Sequence, residues 1–307
     1  MNVLFMGTPD IAAQCLEAIV KAGNTVCGVF TREDKPIGRK QVLTPTPVKQ
    51  IALHYNIPVF QPKTLKESAE KDIESLNPDL IVVVAYGRII PENIIQIPRY
   101  GVINLHVSLL PKYRGAAPIQ WAIINGEIET GVSIMYIDEG LDTGDIISQK
   151  EITIGENETT ADLFKRITEI GAEELLQVIN IISTGAIIRI PQNHNKATYA
   201  PPIKKEMAYF TFDMAAKNIH NLVRGMNPWP VAYFVYEGKK VKVLESKQKT
   251  DFAGVAGEIL SINPFVIACG QGAIELKQVL PEGSKSMLGS SWARGKRFSV
   301  KDNLIKI

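Results

Sequence analysis

The chain has 307 residues, of which 45% are hydrophobic and 21% are charged, and its formal net charge is +2. This is the composition of an ordinary globular protein, and the length predicts about two domains. We find no apolar run of about eighteen residues and no basic, cleavable leader at the N-terminus, which argues against a membrane protein and a secreted one.

Short apolar runs alternate with helical patterns over the first part of the chain. Strands are predicted at 2–6, 25–30, 58–60, 80–85, 101–106, 132–137 and 145–154, and helices at 11–22, 47–55, 65–76, 118–125 and 160–182. Residues 32–46 are polar and predict an exposed loop. The continuous aliphatic run at 80–85 is typical of a strand buried on both faces of a parallel sheet. The alternation predicts a doubly wound, mostly parallel α/β domain over residues 1–188.

The remaining third of the chain has a different pattern. Residues 189–206 contain three prolines and little periodicity, and predict a linker. A helix is predicted at 215–224, followed by strands at 232–236, 241–245, 257–262, 265–268 and 273–279. Short strands at this spacing predict a small β-barrel domain over residues 207–307.

Charge is distributed unevenly between these regions. Residues 1–206 contain 20 Lys and Arg against 24 Asp and Glu, whereas residues 207–307 contain 14 against 8. A basic second domain indicates a polyanionic partner such as a nucleic acid. Charge alone is equally compatible with a solvated basic surface that has no partner.

The chain lacks the sequence motifs of several protein classes. Cys15, Cys27 and Cys269 show no CxxC spacing, so we expect free thiols, a reducing cytoplasm and neither a zinc site nor a disulfide framework. One glycine follows the first strand where a dinucleotide fingerprint needs three. We also find no P-loop, no G-x-S-x-G and no H-E-x-x-H, which disfavours an NTPase, a serine hydrolase and a zincin.

Two polar residues at the end of the predicted strand 101–106 form the first candidate site. Asn104 and His106 point to the same side of an extended strand, where an unpartnered polar pair is costly to bury. Imidazole exchanges protons near neutral pH, and a carboxamide can donate to a developing oxyanion. A structural pair that ends the strand is the alternative.

A second candidate lies in the segment Asp138–Ile146, where Gly140 and Gly144 permit tight turns around Asp142. A carboxylate near His106 would orient the ring and favour its protonated form. An exposed acidic turn is the alternative, and the spacing does not match a calcium loop.

Two basic loops are further candidates. Residues 108–117 place Lys112 and Arg114 before a glycine and two small residues, which permits a close approach to an anionic or planar ligand. Residues 32–40 place Arg39 and Lys40 beside a glycine, where they could meet phosphates. For residues 108–117 a plain surface connection is the alternative, and charged loops such as 32–40 are usually just solvated.

Taken together, these segments resemble the folate-dependent formyltransferases that act on methionyl-tRNA. The resemblance is carried by FMGTPDIA, TPTPVKQIA, PVFQPKTL, NLHVSLLPKYRGAAPIQWAIINGE, TGVSIMYIDEGLDTGDII, ATYAPPIKKE and NPWPVAYF, and runs almost end to end. It implies a formyltransferase fold followed by an OB-like barrel. It also implies transfer of a formyl group from 10-formyltetrahydrofolate to the amine of initiator methionyl-tRNA, by a cytoplasmic monomer that needs no metal and no membrane.

The resemblance also assigns residues. It implies that Asn104, His106 and Asp142 are catalytic. The residues implied to hold the folate carrier are Ser108, Leu109, Leu110 and Pro111, and those implied to contact tRNA are Arg39, Lys40, Lys204 and Lys205. Three alternatives remain: formylation of an amino-sugar nucleotide, hydrolysis that releases formate, and a non-catalytic RNA-binding module. The basic second domain disfavours the first two, and the Asn104, His106 and Asp142 set disfavours the third.

Overall fold

A computed structural model describes residues 1–38 and 40–305 of the chain. The chain divides into two compact units, each made of three segments. The first comprises Met1–Gly115, Gly131–Ile152 and Lys165–Tyr199, and the second comprises Ala116–Thr130, Thr153–Phe164 and Ala200–Ile307. None of the helices in the described ranges is long and apolar enough to span a membrane.

Strands and helices alternate over the first two hundred residues. The strands are β1 (Asn2–Gly7), β2 (Thr25–Phe30), β3 (Lys35–Ile37), β4 (Val42–Thr44), β5 (Val59–Phe60), β6 (Leu80–Val84), β7 (Val102–His106), β8 (Arg114–Gly115), β9 (Glu129–Tyr136), β10 (Ile146–Thr153) and β11 (Tyr199–Ala200). The helices are α1 (Asp10–Lys21), α2 (Pro47–His54), α3 (Glu67–Leu76), α4 (Glu92–Ile95), α5 (Pro118–Ile124) and α6 (Thr160–Ser183), with a short 3₁₀ helix at His194–Lys196.

Seven strands form the main sheet in the order β10-β9-β7-β6-β1-β2-β5. β1 is parallel to β2 and β6, β2 to β5, and β6 to β7, whereas β9 is antiparallel to β7. All five residues of β6 are buried, as their aliphatic sequence predicts. The predicted doubly wound, mostly parallel fold is therefore confirmed. Its strand order reverses between β1 and β6, and ligand crevices open beyond the carboxyl ends of the strands at such a point.

The polar segment 32–46 differs from the predicted loop. β3 and β4 form an antiparallel hairpin within it, in which Lys35 pairs with Thr44. Lys49 holds the base of the hairpin, because its Nζ donates to Asp34 Oδ2 at 2.7 Å and to Gln61 Oε1 at 2.8 Å. The tip leaves Val42 and Leu43 exposed. The hairpin escaped prediction because its strands are three residues long and lack alternation.

The second unit contains a six-stranded antiparallel sheet. Its elements are a 3₁₀ helix (Lys205–Ala208), α7 (Ala216–Gly225), β12 (Tyr233–Tyr236), β13 (Lys239–Lys249), β14 (Ile259–Ile262), β15 (Phe265–Ala268), β16 (Ala273–Pro281), β17 (Met287–Leu288) and α8 (Gly289–Gly295). The strand order is β12-β13-β16-β15-β14, and β17 pairs with β16. No pairing joins β12 to β14 among the described residues, so the sheet is open. The predicted second domain of short β-strands is confirmed, but not the closure of its barrel.

Aromatic residues and a helix pair fill the core of this unit. The Trp292 ring lies 5.8 Å from Phe234 and 5.4 Å from Phe298, measured between ring centroids, and all three side chains are buried. α5 packs against α7, where a Cβ added to Gly225 would lie 2.5 Å from Ile124. Thr160 Oγ1 donates to the carbonyl of Gly225 at 2.8 Å. Residues far upstream in sequence therefore complete this core.

The segment predicted as a linker is itself folded. It contains the first 3₁₀ helix, β11 and the start of the second 3₁₀ helix, and it buries the side chains of Gln192 and Ala200. The domain limits 1–188, 189–206 and 207–307 stay a prediction.

Candidate active site

The site begins at the carboxyl end of β7. Asn104 pairs with Val83 of β6 and Met135 of β9, and His106, the last residue of the strand, pairs with Ser133. The alternation of the strand places the Asn104 and His106 side chains on one side. His106 is 6% exposed and Asn104 is half-buried. A buried imidazole and a partly accessible carboxamide therefore stand together at the carboxyl edge of the sheet, one strand from the reversal between β1 and β6.

The loop between β9 and β10 brings Asp142 to His106. Asp142 Oδ2 lies 3.6 Å from His106 Nδ1 and accepts the backbone N–H of Gly115 at 2.8 Å. Asp142 has a φ of 53°, in the left-handed region where Asp is among the better tolerated residues. A Cβ added to Gly144 would lie 1.9 Å from the carbonyl oxygen of Tyr136, so only glycine fits there. The tight loop therefore aims a carboxylate inward.

Both ring nitrogens of His106 face oxygen acceptors. His106 Nε2 lies 2.9 Å from the carbonyl oxygen of Tyr113, and Nδ1 faces the Asp142 carboxylate. A carbonyl can only accept, so Nε2 must carry a proton to bond with it. A second proton on Nδ1 would then face a negative oxygen. The Asp142 carboxylate is therefore placed to orient the His106 ring.

The sequence analysis did not predict a buried hydrogen-bond network that contacts the Asp142 loop. Gln192 Nε2 donates to the carbonyls of Asp142 at 3.0 Å and Gly144 at 2.7 Å. Arg114 Nη2 donates to Gln192 Oε1 at 2.6 Å, and both side chains are at least 94% buried. Gln192 therefore holds the backbone of the Asp142 loop. Its partners lie about fifty residues away, so no local pattern in the sequence marks it.

The sequence analysis also did not predict the strained turn that follows β6. Ala85 has a φ of 46°, which costs a non-glycine residue energy and often marks a functional site. The next residue, Tyr86, is buried, and its hydroxyl has no hydrogen-bond partner within the described residues. Burial raises the pKa of this phenol. Because β6 and β7 are parallel neighbours, this turn and the loop after His106 lie at the same edge of the sheet.

The four residues assigned to the folate carrier follow β7 directly. Ser108 and Leu110 are buried, whereas Leu109 and Pro111 are half-buried. Ser108 Oγ donates to the carbonyl of Lys112 at 2.7 Å, and the Leu110 carbonyl accepts from Gln149 Nε2 at 2.9 Å. Ser108 and Leu110 therefore hold the loop, and Leu109 and Pro111 present its apolar surface.

The residues assigned to tRNA contact lie outside this cluster. Arg39 falls outside the described residues. Lys40 is exposed in the β3–β4 turn, and Lys204 and Lys205 are exposed at the second 3₁₀ helix. Across residues 1–38 and 40–305, no three His, Cys, Asp or Glu side chains converge as a metal site would require.

Comparison with known families accounts for both parts of the chain. Residues 1–179 match a family described as formyl transferase, and residues 202–297 match the formyl transferase C-terminal domain. Among solved structures, a sugar 3N-formyl transferase, WlaRD, is 22% identical with a TM-score of 0.70, covering 93% of this chain and 99% of its own. HypX from Aquifex aeolicus is 18% identical with a TM-score of 0.66; the match covers 99% of this chain but only 48% of HypX. These two likenesses support the fold.

Curated relatives are much more similar in sequence. The methionyl-tRNA formyltransferase of Alkaliphilus oremlandii (strain OhILAs) is 45% identical over 94% of each chain. That of Sulfurihydrogenibium sp. (strain YO3AOP1) is 44% identical over 98% of each chain. The chain therefore belongs to the formyl transferase family, and within it to the methionyl-tRNA formyltransferases.

Proposed function

We propose that this chain transfers a formyl group to the α-amine of methionine carried by initiator tRNA. Relatives with that name match it over nearly their whole length. The observation that carries the chemistry is the 3.6 Å approach of Asp142 Oδ2 to His106 Nδ1, on the strand that also bears Asn104. An amide, an imidazole and a carboxylate at one sheet edge are the groups that acyl transfer to an amine needs.

The proposed formyl donor is 10-formyltetrahydrofolate, and the loops at this edge fit a flat, partly apolar carrier. Leu109 and Pro111 offer apolar surface, and the strained backbone at Ala85 turns away from the end of β6. The buried Tyr86 hydroxyl at that turn has no partner within the described residues. When bound, the carrier supplies an electrophilic formyl carbon. Ser108 and Leu110 support the loop through their own hydrogen bonds.

The side chains have separate roles in the transfer. As the neutral amine bonds to the formyl carbon, negative charge develops on the formyl oxygen. The Asn104 carboxamide donates to that oxygen, and the His106 imidazolium stabilises it through its charge. Asp142 holds the imidazolium through Oδ2. Its Oδ1 takes the proton that the amine loses and returns it to the departing nitrogen, so the reaction needs no covalent enzyme intermediate.

The exposed lysines support the proposal that the acceptor is an RNA. Lys40, Lys204 and Lys205 are free to contact phosphates, and the same role is proposed for Arg39. Binding through phosphates predicts an affinity that falls steeply with salt. We further propose that the enzyme acts as a monomer in the cytoplasm, where its three unpaired thiols stay reduced.

One experiment separates this function from its alternatives. The protein is incubated with 10-formyltetrahydrofolate and, in parallel, with charged initiator tRNA, an amino-sugar nucleotide or water alone. Formylmethionyl-tRNA should form in the first reaction only. Formylation of the amino-sugar nucleotide, or release of formate in water alone, would contradict the proposal and support the corresponding alternative. Inactivity in all three reactions would support a non-catalytic RNA-binding protein.

Variants then test the site. His106→Ala and Asp142→Asn should each lower kcat by about 10²- to 10⁴-fold, the range that acid–base groups contribute, while tRNA affinity persists. Asp145→Asn is the matched control, because Asp145 lies in the same loop but pairs with Arg189 at the surface, 3.5 Å away. Near-normal kcat in either site variant, or an equal loss in the control, would remove these assignments.

A further inference from the structure

A shallow surface cavity of about 290 Å³ lies within the second unit, and no residue given a catalytic role lines it. Two aromatic side chains, one proline and three lysines line it. We call these residues the aromatic–lysine patch: Lys205, Trp229, Pro230, Tyr233, Lys240 and Lys242. Apart from Lys205, the proposed function gives none of them a task.

The Trp229 ring is open to solvent. Its residue is 54% exposed, whereas Trp292 is 5% exposed and Trp121 is half-buried with its Nε1 donating to the Pro201 carbonyl at 2.8 Å. No other aromatic ring of the described residues contacts Trp229, although Tyr233 beside it lies 5.7 Å from Tyr209 between ring centroids. Together with Pro230 and Tyr233, Trp229 forms a contiguous apolar patch, and it is such patches that mark interaction sites.

The three lysines lie around the two aromatic rings. Tyr233 pairs with Lys242 across β12 and β13, so the two side chains share a face of the sheet, and Lys240 lies two residues along the same face. Lys240 Nζ stands 4.5 Å from the centre of the Tyr233 ring.

No acidic residue lines the cavity, and among the described residues none of the three lysines forms an ion pair. The Glu282 carboxylate accepts the backbone N–H of Lys240, not its ammonium. Other lysines of this unit are neutralised, as Lys249 is by Glu275 at 3.0 Å and Lys296 is by Glu237 at 2.6 Å. The patch therefore keeps three uncompensated positive charges around an open indole face.

We infer that the aromatic–lysine patch binds an unpaired nucleotide of the RNA substrate, with its base stacked on Trp229 and its flanking phosphates on the three lysines. Every base has a π face that stacks on an indole, and the backbone supplies the negative charge. The base must be unpaired, because a base inside a duplex is already stacked on its neighbours. This inference rests on the proposed function, since it names a contact of the same RNA acceptor.

The test measures binding of three probes to the full chain and to Trp229→Ala. The probes are a single-stranded oligoadenylate of about ten nucleotides, a blunt RNA duplex with as many phosphates, and inorganic polyphosphate of similar charge. Trp229→Ala should weaken oligoadenylate binding by about 5- to 100-fold, the range expected for loss of one base–aromatic stack. It should leave the duplex and polyphosphate affinities unchanged. Quenching of tryptophan fluorescence by oligoadenylate should be lost in the same variant.

Further variants separate stacking from charge and from misfolding. Trp229→Phe keeps an aromatic face and should retain most of the affinity, which a misfolded protein would not. Lys242→Ala should weaken all three probes, whereas Lys217→Ala, an exposed lysine on α7 outside the patch, should weaken none. Equal binding of oligoadenylate by the wild type and Trp229→Ala, or an equal loss for duplex and polyphosphate, would overturn the inference.

Formylation assays distinguish the two proposals. If the wild type formylates charged tRNA and Trp229→Ala does so with unchanged KM for the RNA, the nucleotide contact fails and the function stands. If the wild type forms no formylmethionyl-tRNA, the function itself fails. A raised KM with unchanged kcat in Trp229→Ala supports both.

Discussion

Replacing Gln192 by methionine removes the side chain that holds the Asp142 loop while keeping its volume. Gln192 is buried and donates to the backbone of the loop, so we expect its effect to pass through the loop. The substitution deletes both donations to the carbonyls of Asp142 and Gly144, and it removes the Oε1 acceptor of Arg114, which keeps only its contact with His194 Nδ1 among the described side chains. It therefore tests whether the backbone network positions the carboxylate.

The expected cost follows from these contacts. Two hydrogen bonds to buried carbonyls contribute about 1 kcal/mol each, and the bond from a charged guanidinium about 1.5–3 kcal/mol. Their loss should lower the free energy of unfolding by about 3–5 kcal/mol, a large part of the roughly 5–15 kcal/mol of a typical domain. A displacement of the Asp142 carboxylate by about 1 Å should lower kcat by about 10²-fold.

Urea unfolding and steady-state formylation measure the two effects. Gln96→Met is the control, because Gln96 is an exposed glutamine of the same unit whose side chain bonds only to Glu92 on its own helix. It should change the free energy of unfolding by less than about 0.5 kcal/mol. The KM for the RNA should stay unchanged in both variants. A Gln192→Met protein within about 1 kcal/mol of the wild type, with normal kcat, would refute the role of the network.

Two further outcomes follow from single residues. Gly144→Ala should destabilise the protein by several kcal/mol in urea unfolding and lower kcat, because the new Cβ meets the Tyr136 carbonyl at 1.9 Å. Gly185→Ala should lower the free energy of unfolding by only about 1 kcal/mol, because its φ of 84° disfavours alanine but nothing lies within 4 Å of the added Cβ. Equal losses of stability in the two glycine variants would contradict this reasoning. Burial lowers the pKa of His220 below its usual 6.5, so the unfolded chain takes up more protons and stability is lost as pH falls below 6.5. His220→Asn should flatten the pH dependence of the free energy of unfolding between about pH 7 and 5, and an unchanged slope would exclude His220 as its cause.

The fold of the first unit could be predicted because burial leaves a direct pattern in its strands. The aliphatic run of β6 is buried on both faces, and helices of regular period separate the strands. Elements that depend on distant contacts were missed. α8 is seven residues long, too short to show a clear helical period, and its Trp292 packs in the aromatic core. The opening of the second sheet likewise depends on which strands meet, which the strand sequences do not encode locally.

The candidate site was predictable to the same extent. Strand alternation placed Asn104 and His106 together, and the glycines around Asp142 indicated a tight loop, whose approach to His106 the structure shows. Gln192 was not predictable, because it acts on backbone carbonyls that any residue supplies. The charge count by sequence position also overstated how basic the second unit is. The second unit includes acidic residues from Ala116–Thr130 and Thr153–Phe164, so its net charge is less basic than residues 207–307 alone suggest.

The interleaving of the two units limits how the protein can be cut and how it is made. Ile124 and Thr160 complete the surface on which Gly225 and α7 rest, so a fragment starting at residue 207 would expose the apolar side of that helix to water. Such a fragment should aggregate or stay unfolded when expressed alone. During synthesis, the segments around residues 116–130 and 153–164 emerge long before their partners. They must wait for the C-terminal strands to leave the ribosome, so the second unit is the last to complete its fold.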